Sequence, residues 1–114
     1  MNNTPAQFLV IQDKAAAEPL KLDFLRLKKA AMILRALNHK LRQQLLKLID
    51  ENKKITVTEI YVNLRLEQSV VSQHLAILRR AGIVITKREG KFIFYSLNYN
   101  RIQEVNNFVE ELIG

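Results

Sequence analysis

Apolar residues recur at three- and four-residue spacing from Leu20 to about Leu37, through Phe24, Leu27, Ala31 and Leu34, and predict a helix that opens just after Pro19. Its end, AAMILRAL, is apolar on more than one face and so needs cover on more than one face. Asn38 interrupts the pattern. A second helix is predicted from His39 to about Asn52, with Leu41, Leu45, Leu48 and Ile49 on one stripe and His39 as a solvated or capping residue. Residues 56–64, TVTEIYVNL, predict a short helix, capped by Thr56 or Thr58, with Thr56 and Glu59 spaced as a capping box. The β-branched content leaves a strand open there. In the next run Val71, His74, Leu75 and Leu78 share one helical face, and Ser69, Ser72, Gln73, Ala76 and Arg79 lie on the other. Gly82 is a natural helix stop. The period then changes to that of strands. IVITKRE and KFIFYSL surround Glu89 and Gly90 and predict a β-hairpin over about 83–97 with a basic tip. Tyr99–Gly114 returns to helical spacing, with Ile102, Val105, Val109 and Leu112 as the apolar stripe and Glu104, Glu110 and Glu111 outside. Residues 1–19 are irregular, bordered by Pro5 and Pro19; QFLVIQ within them pairs as a short strand, packs on the body or belongs to a flexible tail.

The order is helix, helix, short helix, helix, hairpin, helix. The expected fold is mainly α with a β-hairpin wing: a winged helix-turn-helix of about five helices and two strands, filling residues 20–114 behind a tail at 1–19. The stretch from Thr56 to Leu97 carries the functional reading. A helix enters the DNA major groove when its outward face is slim and polar. Here that face is Gln68, Ser69, Ser72 and Gln73, with small Ala76 leaving room, on a helix spanning about 68–81. A face meant only for water carries more Lys and Glu. The hairpin places Lys87, Arg88 and Lys91 beside the duplex, where they hold phosphates or enter the minor groove.

Charge supports a polyanionic partner. The chain has 114 residues and a formal net charge of +7, and neutralising DNA phosphates releases condensed counterions. The distribution sharpens the point: residues 21–54 carry +7 and residues 65–91 carry +4, while the rest sums to −4. There is no cysteine, which excludes disulfides, a thiol switch and a Cys-bound metal. No apolar run reaches the length of a membrane span, and the first residues lack a signal-peptide pattern, so a cytoplasmic location is expected. A single domain this small gains from burying more surface by dimerisation.

The segment QSVVSQHLAILRRAGIVITKREGKFIFYSL resembles the recognition helix and wing of the ArsR/SmtB family. It shows the pattern S-x-x-S-x-H-L at Ser69, Ser72, His74 and Leu75, then L-R-x-x-G at Leu78, Arg79 and Gly82, then the REGK…YSL wing; the strong match covers residues 64–97. The resemblance implies a homodimer whose first and last helices meet across a two-fold axis, binding a pseudo-palindromic operator and repressing transcription. The expected interface residues are Phe24, Leu27, Ala31 and Leu34 with Ile102, Val105, Val109 and Leu112. Metal-sensing members carry a Cys-x-Cys pair where this chain has Thr56 and Thr58, or bind metal through His and carboxylates on the last helix, which here has no His. DNA binding is therefore carried over and metal sensing is not. No cofactor is expected, and an effector, small molecule or protein, is left open.

Each singled-out residue also has a plainer reading. His74 serves as a half-buried packing residue, Arg79 and Arg80 complement a helix C-terminus as readily as they meet phosphate, and the wing charges keep a strand edge soluble. Tyr61 and Tyr95 read as core or interface aromatics. The alternative function is a winged helix used only for protein–protein contact. An enzyme finds no support, because the chain lacks a His and carboxylate pair at usable spacing and a Gly-rich phosphate loop.

Overall fold

A computed structural model describes residues 7–114, and the part of the expected tail before Gln7, Pro5 included, lies outside them. The chain divides between Met32 and Ile33 into two units.

In the first unit, β1 (Phe8–Ile11) pairs antiparallel with β2 (Leu20–Asp23). The strand reading of QFLVIQ is the one observed. The expected helix from Leu20 is corrected: Leu20-Lys21-Leu22-Asp23 is a strand, and α1 runs from Phe24 to Leu37. The cause is local. Asp23 Oδ1 accepts the N–H groups of Leu25 and Arg26 at 3.0 and 3.1 Å, so Asp23 caps the helix. A ladder bond from Phe24 N–H to the Gln7 carbonyl carries the hairpin to the very start of α1.

The second unit follows the expected order. The helix α2 (Lys40–Asn52) is capped by His39, whose Nδ1 accepts from the N–H groups of Leu41 and Arg42. Next come β3 (Ile55–Thr56), α3 (Val57–Leu64), α4 (Gln68–Arg80), β4 (Val84–Glu89), β5 (Phe92–Leu97) and α5 (Tyr99–Ile113). Half of the expected capping box is formed: Thr56 Oγ1 accepts from Glu59 N–H at 3.2 Å, but the Glu59 carboxylate takes the Thr56 hydroxyl at 3.0 Å in place of the Thr56 backbone N–H. Gly82, at φ +75°, ends α4. The N–H of Ile83 bonds the Leu78 carbonyl and that of Gly82 the Arg79 carbonyl, a Schellman closure with Ile83 and Leu78 both buried.

The expectation of two strands is corrected upward. Besides the first unit's hairpin, the wing is a three-stranded sheet in the order β3-β5-β4, with Ile55 opposite Tyr95 and Thr56 opposite Phe94. β4 and β5 turn on Gly90 and Lys91, and Gly90 supplies the positive φ of 62° that such a tight loop needs. The core joins Leu45 and Ile49 of α2, Ile60 of α3, Val71, Leu75 and Leu78 of α4, and Ile55, Val84 and Leu97 of the sheet. No helix of the described residues is long and apolar enough to cross a membrane.

Candidate nucleic-acid interface

The short turn between α3 and α4 is made by Arg65, Leu66 and Glu67. Arg65 sits in the left-handed region at φ 55°, and the N–H of Leu66 bonds the Tyr61 carbonyl at 3.0 Å. This reversal sets α4 against α3 in a helix-turn-helix. Helical period then sorts the side chains of α4. Val71, Leu75 and Leu78 are buried, His74 is half-buried, and Gln68, Ser69, Ser72, Gln73, Ala76, Arg79 and Arg80 are exposed. The slim polar face expected from the sequence is the free face of this helix.

The wing charges do not form one patch. Side chains alternate along a strand, so Lys87, paired with Phe94, and Arg88, paired with Ile93, stand on opposite faces of the ribbon. Lys91 sits in the turn, 5.5 Å over the Phe92 ring. Arg88 shares its face with Thr86 and Tyr95. Tyr95 in turn closes a groove of about 460 Å³ with Ser72, Leu75, Ala76, Arg79 and Arg80. The helix α4 and the wing thus border one open, basic channel. Sequence pattern reads Tyr95 as a core or interface aromatic, and it does pack partly against the core, while the two-residue period of the hairpin also puts it on the α4-facing side. Lys54, which the sequence does not single out, pairs with Glu89 at 2.8 Å and lies 4.7 Å over Phe94. That pairing draws down the Glu89 carboxyl pKa, chiefly through the Lys54 hydrogen bond.

A polar group inside the second unit also escapes a reading of the sequence. Arg42 is only 7% exposed. Its Nε donates to the Ala36 carbonyl at 2.6 Å and its Nη2 to the Arg35 carbonyl at 3.0 Å, closing the end of α1. Its Nη1 lies 3.2 Å from His74 Nδ1. A guanidinium only donates, so this nitrogen accepts and His74 is the neutral Nε2–H tautomer. The His39 ring lies 4.8 Å away. Burial first, and then the charges of His39 and Arg42, lower the His74 pKa. Signals in the sequence for such an anchor are slight: one Arg among the apolar positions of α2.

The expected interface residues are spread unevenly. Phe24, Leu27 and Ala31 are exposed and Leu34 is half-buried. Ile102 and Val105 are partly buried against the core of their own unit, Val109 is half-buried, and Leu112 is 66% exposed. Thr56 and Thr58 line a cavity of about 320 Å³ with Glu59, Phe92 and Phe94. The Thr56 hydroxyl is committed to the α3 cap. Among the described residues no group of three or more His, Asp and Glu side chains is placed to hold a metal.

The family described as bacterial regulatory protein, arsR family, matches residues 39–86. A helix-turn-helix transcriptional regulator of Methanocaldococcus jannaschii is 39% identical over 84 residues, 74% of this chain and 94% of that protein. The chain belongs to the ArsR family. A second relative, the transcriptional activator HlyU of Vibrio cholerae, is 36% identical over 84 residues, 74% of this chain and 77% of its own length. Among solved structures, the transcriptional repressor PagR of Bacillus anthracis superposes with a TM-score of 0.60 at 30% identity, covering 79% of this chain and 99% of that one. This ArsR-family protein is accordingly a winged-helix transcriptional regulator, and its family is one of regulators rather than enzymes.

Proposed function

We propose that this ArsR-family regulator is a cytoplasmic homodimeric repressor that binds a pseudo-palindromic operator in double-stranded DNA. The observation that carries the reading is the joint surface of α4 and the wing, where an exposed Gln68–Ser69–Ser72–Gln73 face runs into the channel of Arg79, Arg80 and Tyr95. Gln and Ser side chains present the donor and acceptor pairs that read base edges in the major groove. Arg79 and the wing residues Lys87, Arg88 and Lys91 hold phosphates and fix the register. Two such helices about 34 Å apart, one turn of DNA, address successive major grooves. Apolar side chains of α1 and α5 supply the dimer interface. With no cysteine in the chain, the effector is not a Cys-bound metal.

The test is to sequence genomic fragments retained by the purified protein and then to titrate the recovered duplex against a scrambled one over a range of salt. Specific retention with a steep salt dependence is the expected result. Equal, background-level binding of both duplexes at low salt overturns the operator reading.

A further inference from the structure

The hairpin that leads into α1 carries an apolar face that its own unit leaves exposed. Opposed residues of an antiparallel pair share a face. The register Leu9–Leu22 and Ile11–Leu20 therefore sets four aliphatic side chains together, while Phe8, Val10, Lys21 and Asp23 occupy the other face. The four are 47%, 40%, 45% and 59% exposed, in that order. On the other face Lys21 lies 3.9 Å over the Phe8 ring, so that side is already dressed with charge. A two-stranded ribbon is marginal on its own and needs packing on its apolar side.

We propose that the Leu9–Ile11–Leu20–Leu22 face is covered by a second copy of this chain, so that the hairpin is a dimerisation element. The inference rests on the homodimer proposed above and adds its N-terminal component. Three observations select this occupant. The face holds no charge, and its strands carry only Lys21 and Asp23, so neither DNA nor an anionic lipid surface finds a basic patch here. The face is chemically alike along its length, which suits an isologous contact in which the same patch meets itself about a two-fold axis. The apolar surface also continues beyond the ribbon. Phe24 and Leu27, 40% and 53% exposed, extend it along the first turns of α1, toward the ~800 Å² that each partner contributes to a standard interface. The Asp23 cap and the Phe24 to Gln7 bond fix the ribbon rigidly to the head of α1, the helix assigned to the dimer.

The experiment uses the full chain, which has no native cysteine. Single variants Ile11→Cys and Val10→Cys place a thiol on the apolar and the dressed face. On mild oxidation, Ile11→Cys is expected to give a covalent dimer at micromolar concentration and Val10→Cys at least fivefold less. In parallel, sedimentation equilibrium of Leu9→Thr/Leu22→Thr, which keeps strand propensity, is expected to show a dimer dissociation constant raised at least tenfold, with unchanged circular dichroism. A wild-type dimer that yields no Ile11→Cys cross-link and tolerates the threonine pair overturns the hairpin proposal alone, its face then being covered by the same chain or another protein. A wild type that sediments as a monomer at every concentration overturns the homodimer reading and this proposal with it.

Discussion

Arg42 Nη1 meets His74 Nδ1 at 3.2 Å, and the same guanidinium closes the carbonyls of Arg35 and Ala36. One buried cation thus ties the end of α1, the start of α2 and α4. Arg42→Ala leaves the Ala36 carbonyl and the His74 imidazole without this donor in a buried place, while the Arg35 carbonyl keeps the Asn38 N–H. The expected loss of stability is about 2–4 kcal/mol, read from urea unfolding midpoints at constant slope. Arg42→Lys keeps the charge but cannot serve three acceptors from one planar fork, so it recovers only part of that loss. An unchanged midpoint for Arg42→Ala sinks the anchor role.

His74 supplies a pH dependence. Its folded pKa is lowered, first by burial and then by the neighbouring His39 and Arg42. The unfolded chain therefore binds more protons than the folded one below about pH 6.5, the ordinary imidazole value. Stability from this group is complete above that value and is lost as pH falls through it toward the lowered one. Urea midpoints measured at pH 7.5 and 5.5 are expected to separate more for the wild type than for His74→Gln. Equal separations for the two proteins refute the assignment.

The two faces of the wing call for different outcomes. Arg88 stands on the side of Tyr95 and the basic channel, whereas Lys87 stands on the side of Phe94. Arg88→Ala is expected to weaken binding to every duplex and to reduce the salt slope by about 1 for each phosphate no longer neutralised. Lys87→Ala is expected to do less. Ser72→Ala with Gln73→Ala is expected to lower the preference for the operator by about 1–3 kcal/mol while leaving non-specific affinity close to wild type. Fluorescence anisotropy at several salt concentrations separates these results.

Backbone conformation gives an opposed pair of substitutions. Arg65 holds φ 55° at the turn between α3 and α4, a region that costs an L-residue with a Cβ roughly 1–2 kcal/mol. Arg65→Gly relieves this and is expected to stabilise the fold by about 0.5–1 kcal/mol after its unfolded-state entropy is counted. Gly82→Ala works the other way. At φ +75° a new Cβ lies 3.3 Å from Arg101 Nε, and a loss of about 1–2 kcal/mol is expected. Thermal melts of the two variants moving in the same direction contradict this reading.

Period and punctuation are legible where packing follows them. The α2 stripe, the Thr56 cap of α3, the inward Val71, Leu75 and Leu78, the stop at Gly82 and the two wing strands all stand where the sequence puts them. The slim outer face of α4 is readable for the same reason, since burial of one helical stripe leaves the other free. Leu20-Lys21-Leu22-Asp23 hides its strand because alternation over four residues merges with the longer helical stripe beside it; Asp23 as a cap is the signal that separates them. The strand β3 is only two residues long and pairs with a partner about forty positions away, beyond any local pattern. Arg42 lies on an inward position, where a charged residue is recognisable as an anchor only once its three acceptors have been brought round it.

Thr56 belongs at once to the wing sheet, opposite Phe94, and to the first turn of α3, which its hydroxyl caps. This joint use couples two parts that loops would otherwise leave independent. Torque applied to the ribbon reaches α3 at its anchored end and passes on to α4 through their packed apolar sides. Substitution of Thr56 is therefore expected to loosen the start of α3 and the edge of the sheet together, as one event rather than two.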